Sequence, residues 1–110
     1  MGEAMLHQGL ALPDGQVEVG PLRLRPRHPS PPGPVKVAIR PEAWAAGAPG
    51  ANTLNGTLTK QAYLGSHQEL TVDTPLGDIF VISANVQQAW QVGDAVGLSL
   101  DGHGLCVVGP

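Results

Sequence analysis

The chain has 110 residues, one domain's worth, and carries a formal net charge of −3. Charged residues make up only 14% of it, against roughly 25% in an average domain, and 15 glycines and 11 prolines punctuate it throughout. That composition excludes long helices. The acidic balance and four scattered aromatics (Trp44, Tyr63, Phe80, Trp90) argue against a nucleic-acid binder, which shows a basic footprint and stacking platforms.

From the N-terminus, Leu10 and Leu12 alternate with other residues before Pro13-Asp14-Gly15, a hairpin signal. Val17, Val19, Leu22 and Leu24 continue with strand spacing, interrupted at Gly20-Pro21 by a predicted bend or edge position. Arg25 to Pro34, RPRHPSPPGP, is too proline-dense for strand or helix and reads as a stiff extended connector. Such segments can also be recognition motifs, but a loop between strands is the plainer reading. Val35, Val37 and Ile39 alternate strictly and end at Arg40-Pro41, where proline holds Arg40 extended. Ala45 to Asn52 is small and flexible, a predicted loop.

The second half is more regular. Leu54 to Tyr63 reads as a strand with a bulge or tight bend at Gly56, and Leu64-Gly65-Ser66 as a turn. Glu69 to Thr74 is a strand, Pro75-Leu76-Gly77-Asp78 a hairpin turn, and Ile79 to Ile82 a strand buried on both faces. Ala84 to Gln91 has room for one helical turn. Gly93-Asp94 turns, Ala95 to Leu100 is a strand, Asp101-Gly102 turns, and Leu105 to Val108 is the last strand. Turn signals at such spacing predict an all-β domain: a small β-barrel with about seven strands, spanning residues 1–110 as a single unit.

The chemistry of the common active sites is missing. No GxxxxGK[ST] loop occurs, and neither Lys36 nor Lys60 follows a glycine, so the chain alone has no such route to ATP. No HExxH or Cys-x-x-Cys spacing is present, and His7, His28, His67 and His103 are far apart in sequence. Ser66, His67 and Asp73 could be drawn as a triad, but without a GxSxG elbow nothing supports it. The carboxylates Asp73, Asp78 and Asp94 fall at strand ends and turns, where turn chemistry explains them. Cys106, the lone cysteine, sits in an apolar run and reads as a small buried hydrophobe; nothing suggests an oxidising compartment. No stretch approaches the ~20 apolar residues of a membrane span, and Met1 to Met5 lack the pattern of a secretory signal, so the expected compartment is the cytosol.

Four short signatures occur in order: Val37-Ala38-Ile39-Arg40-Pro41-Glu42, Gly56-Thr57-Leu58, Tyr63-Leu64-Gly65, and Val92-Gly93-Asp94-Ala95-Val96. Together they resemble the transport-associated OB (TOBE) domain, the C-terminal part of many ATPase subunits of bacterial ABC importers, over roughly Gly2 to Val108, and the resemblance implies that the barrel is OB-like with an extra N-terminal hairpin. The resemblance implies that an ATPase domain carrying ATP and magnesium precedes this one in the parent subunit. It implies no catalytic residue, cofactor or metal ligand in this chain. It also implies a homodimer, contact with the ATPase domain and, through it, with the importer's membrane subunits, at the inner face of the cell membrane without insertion. Arg40, Pro41, Glu42, Gly56, Tyr63, Leu64, Gly65, Gly93 and Asp94 are the motif residues. Arg40 and Glu42 read as a structural ion pair, as loop hydrogen bonds, or as a contact with the ATPase core.

The expected function is therefore an accessory domain that supports dimerisation and senses a solute or regulator, with no enzymatic activity of its own. The alternative is a stand-alone OB domain for a small solute or oxyanion, with Ser66, His67 and Thr74 as donors near the turns. A nucleic-acid-binding OB module comes third. Tyr63 to His67 and Asp73 to Gly77 resemble importers of iron(III), polyamines or aminophosphonates most closely.

Overall fold

The computed structural model describes residues 4–26, 31–85, 87–100 and 105–108. Among these residues it is all-β apart from one 3₁₀ turn at Pro41–Ala43. Ten strands lie among the described residues: β1 Met5–Ala11, β2 Val17–Val19, β3 Leu22–Leu24, β4 Gly33–Ile39, β5 Trp44–Gly47, β6 Leu54–Tyr63, β7 Gln68–Thr74, β8 Gly77–Ser83, β9 Ala95–Leu100 and β10 Leu105–Val107. The count exceeds the expected seven chiefly because the sequence shows β2 and β3 as one interrupted run and gives little strand signal at β5. The Asp101-Gly102 turn and the side chain of Cys106 lie outside the described residues.

Two antiparallel five-stranded sheets result, ordered β10-β4-β1-β2-β3 and β5-β9-β6-β7-β8. In the second, the edge strands β5 and β8 return to pack on each other, and β8 also packs on the 3₁₀ turn. The sheet thus curls into a small OB-like barrel, and the first sheet is the N-terminal hairpin layer widened by β4 and β10. Alternation selects the core. Val35, Val37 and Ile39 point inward from β4, Leu70 and Val72 from β7, Ile79 and Val81 from β8. These join Trp44, Leu54, Leu58, Val96 and Leu98 in one buried cluster that spans both sheets.

Several local expectations are corrected. Gly20-Pro21 is the two-residue loop of a β2–β3 hairpin, with Val19 opposite Leu22. Gly20 has φ +56°, which suits glycine at the first loop position of such a hairpin. The proline-rich connector ends earlier than its composition suggested, since Gly33 and Pro34 already pair with Ala11 and Leu10. Pro34 is tolerated at the beginning of the strand. Trp44–Gly47, read partly as loop, is an edge strand paired with β9 and anchored by the buried Trp44. In β8, Ile79 and Val81 are buried while Phe80 and Ile82 are only half-buried, so one face is closed rather than two. No helical turn occurs among the described residues of 84–91.

The irregularity in β6 is not at Gly56. The register slips between Leu58 and Lys60, which leaves Thr59 as the extra residue of a bulge. Gly56 serves close approach instead: a Cβ there would collide with the Asp73 carbonyl oxygen and lie 2.8 Å from Val72 Cγ1. Gly56→Ala is therefore expected to cost at least the ~1–3 kcal/mol typical of overpacking, read as a lower denaturation midpoint with an unchanged slope.

His7 on β1 is half-buried, edge-on to Trp44 with ring centroids 6.2 Å apart and planes at 88°. Its Nε2 is buried without a hydrogen-bond partner, and loss of solvent lowers its pKa below the ordinary 6.5. Above that pH the ring is neutral in both states and contributes no pH dependence. Below it the unfolded chain takes up the proton first, so stability falls as pH drops from 6.5 through the lowered folded value. His7→Leu should remove that part of the acid sensitivity, seen by comparing urea midpoints of the two proteins at about pH 7 and about pH 5.5.

Candidate functional site

The residues read as ligand or partner contacts fall at both ends of the β6–β7 ribbon. At one end, Leu64 N–H donates to the His67 carbonyl at 2.9 Å and closes a tight turn, with Gly65 at φ +87°. Tyr63, Leu64, Gly65 and Ser66 are exposed on this turn. Ser66 Oγ lies 3.1 Å from His67 Nδ1, and His67 Nε2 is 3.8 Å from Glu69 Oε2, an ion pair only when the imidazole is protonated. Asp73 is near the far end of β7, so no triad assembles. A hydroxyl beside an imidazole on an open turn has neither walls to exclude water nor preorganised donors for a developing charge.

At the other end Thr74 is buried and occupied. Its hydroxyl donates to the Gly77 carbonyl at 2.8 Å and accepts from Leu76 N–H at 3.1 Å, fixing the β7–β8 turn. β7 separates Thr74 from His67 by about 20 Å at ~3.3 Å per residue. Ser66, His67 and Thr74 therefore do not converge on one ligand.

The remaining motif residues are structural in their visible contacts. Pro41 is buried at the first position of the 3₁₀ turn, and the Arg40 carbonyl accepts from Ala43 N–H at 3.0 Å. Arg40 and Glu42 are both exposed, and among the described residues neither forms an ion pair or a side-chain hydrogen bond. The expected structural ion pair is absent among those residues; the turn buries Pro41 and Ala43 and leaves both charged side chains exposed. Gly93, at φ +100°, donates its N–H to the Leu58 carbonyl at 2.8 Å, and Leu58 N–H donates to the Asp94 carbonyl at 2.9 Å. Asp94 Oδ2 accepts from Gln91 N–H at 2.9 Å, which folds this turn against the β6 bulge.

The residue that sequence reasoning missed is Gln68. It is 1% exposed, and its amide is saturated. Gln68 Oε1 accepts from Gln61 Nε2 at 2.9 Å, while Nε2 donates to the carbonyls of Asn85 at 3.0 Å and Gln88 at 2.8 Å. It pins the connection between β8 and β9 to the end of the barrel. Only the polar-in, apolar-in alternation of Gln68, Leu70 and Val72 hinted at it. On the outer face, Lys60, Ala62, Glu69, Thr71, Phe80 and Val92 line a shallow trough of about 500 Å³. Among the described residues no group of three or more His, Cys, Asp or Glu side chains could hold a metal ion.

Residues 37–108 match the family model described as the TOBE domain. The chain belongs to the TOBE domain family. The match takes in β5 to β10 with the end of β4, which is the barrel and its nearest neighbours; β1 to β3 lie outside it. The TOBE domain is similar to the Fe(3+) ions import ATP-binding protein FbpC 1 of Rhizobium meliloti (strain 1021), with 34% identity over 77 residues, covering 70% of this chain and 22% of that protein. The FbpC of Agrobacterium fabrum is 32% identical over 93 residues, covering 84% of this chain and 26% of that protein. The chain thus spans about a quarter of these ATP-binding subunits of ferric ion importers. Among solved structures, the cytoplasmic molybdate-binding protein ModG, with molybdate bound, superposes with a TM-score of 0.64 over 94% of both chains at 12% identity. At that identity the likeness extends to the fold alone. No helix among the described residues of the TOBE domain is long and apolar enough to cross a membrane.

Gln68→Leu should cost about 1–2 kcal/mol, since two carbonyls lose a donor but can turn to water. Its signature would be faster amide exchange around Asn85 and Gln88, with the β7–β8 core unchanged.

Proposed function

We propose that this TOBE domain is the accessory, non-catalytic part of an ABC importer's ATP-binding subunit, and that it helps hold two such subunits together. The observation that carries this reading is the match of the family segment to about a quarter of ferric ion importer ATP-binding proteins, in a chain with no phosphate-binding loop of its own. ATP and magnesium belong to the ATPase part of such a subunit. The exposed pair Arg40 and Glu42, free of ion pairs among the described residues, suits contact with that part. The domain would then work on the cytoplasmic side, peripheral to the membrane and linked to the importer's membrane subunits through the ATPase part.

The second reading, a solute sensor, draws on the fold shared with ModG. Against it, the hydroxyl of Thr74 is committed to its turn and Ser66 and His67 stand at the opposite end of β7.

Light scattering of the purified chain and thermal unfolding with molybdate, sulfate, phosphate, aminoethylphosphonate, spermidine and iron(III) separate the two. The assembly reading expects self-association that grows with concentration, and midpoint shifts under ~1 °C with every ligand. A sensor at a hundredfold excess over its dissociation constant gains about 2.7 kcal/mol, so a saturable rise of ~10 °C or more with one ligand would overturn it.

A further inference from the structure

β6 is longer than the strands that cover it. Its first four residues, Leu54 to Thr57, pair with β9, whereas pairing with β7 runs on to Tyr63. Beyond the turn that Gly93 and Asp94 fold against Leu58, Thr59 to Tyr63 have no strand partner on that side among the described residues. Main-chain polarity there can be read from its two ends. Leu58 directs its N–H and C=O toward Asp94 and Gly93, away from β7, while Leu64 N–H turns toward His67 on the β7 side. Antiparallel alternation then aims the N–H and C=O of Gln61 and Tyr63 out of the open edge, and those of Lys60 and Ala62 into β7.

A bare edge is a template for another strand. We infer that this edge pairs with the same edge of a second copy of this chain, antiparallel about a two-fold axis at Gln61. This rests on the assembly reading above and names its contact surface. The sequence is self-complementary in that register. Gln61 faces the partner's Gln61 and exchanges both main-chain bonds with it; Thr59 faces the partner's Tyr63; Lys60 faces the partner's Ala62 and so avoids a like charge. Charge selects the copy as occupant. Within one chain Ala62 lies opposite Glu69 on β7. Each Lys60 is already a diagonal neighbour of its own Glu69 across the β6–β7 ladder. Across the axis it gains a second carboxylate, reaching over the partner's small Ala62 to the partner's Glu69, about 10 Å away at two strand spacings. Among the described residues Lys60 has no ion-pair partner within its own chain. Val92, 65% exposed beside Lys60 and Ala62 in the trough, gains cover from the second copy. Five paired residues a side make a small interface, so association of the chain alone is weak and grows when other contacts of a parent subunit add to it.

Sedimentation velocity of the chain up to ~1 mM tests this, with circular dichroism to confirm folding of each variant. The wild type is expected to form dimers. Lys60→Glu should weaken them at least about tenfold, because it brings a carboxylate to the partner's Glu69, and adding Glu69→Lys should restore most of the loss. Gln61→Pro, which removes an outward N–H and leaves the β7 ladder intact, should abolish dimers. Wild-type dimers that ignore the charge reversals would overturn the edge pairing while leaving dimerisation in place. A wild type that stays monomeric throughout would overturn both. Should Gln61→Pro fail to fold, the charge reversal and its rescue alone decide.

Discussion

The barrel depends on a close approach of backbone to backbone, where Gly56 of β6 lies under the Asp73 carbonyl of β7. A strand carrying a side chain at that point would be held away from its neighbour, and the sheet could not curl enough to bring β5 and β8 together. The rest follows from that closure. With β5 and β8 in contact, Leu54, Leu58, Leu70, Val72, Ile79, Val81, Val96 and Leu98 form an apolar interior, and Trp44 belongs to the same buried cluster as the core of the first sheet. The bulge at Thr59 then turns the remainder of β6 past the end of β9.

Most of the polar side chains that could have formed a binding site are used locally. Thr74 fixes one turn, Asp94 another, and Gln68 ties down the connection between β8 and β9. In a chain with only 14% charged residues, few polar groups remain to converge on a ligand. What stays open is main chain at the free edge of β6 and the apolar trough beside it, which suits contact with protein better than capture of a small ion. On the proposed reading, the domain adds to a larger ATP-binding subunit through these surfaces.

Much of the fold was legible because period-two alternation is strong where one face is buried, as in Val35-Val37-Ile39 and Leu70-Val72. The motif order in residues 37–108 also pointed to the family that the comparison assigns. The errors share a cause: neighbours in space overrode local composition. Ala45 to Gly47 looked like loop because alanine and glycine carry little strand signal, yet β9 supplies the pairing. Gly56 looked like a bulge because glycine often marks one, whereas the neighbouring strand requires the missing side chain. Gln68 could not be singled out, since its partners are main-chain carbonyls 17 and 20 residues away. The lack of convergence among Ser66, His67 and Thr74 was likewise invisible until β7 set their separation.

The measurement that bears most directly on the account is a map of backbone amide chemical shifts of the ¹⁵N-labelled chain. It would be recorded first against protein concentration and then, at low concentration, against added anions and iron(III). An assembling domain predicts concentration-dependent shifts gathered at Thr59 to Tyr63 and Val92, and no saturable change with any added solute. Saturable shifts with one solute, gathered around a single pocket and independent of protein concentration, would contradict it and make the domain a receptor.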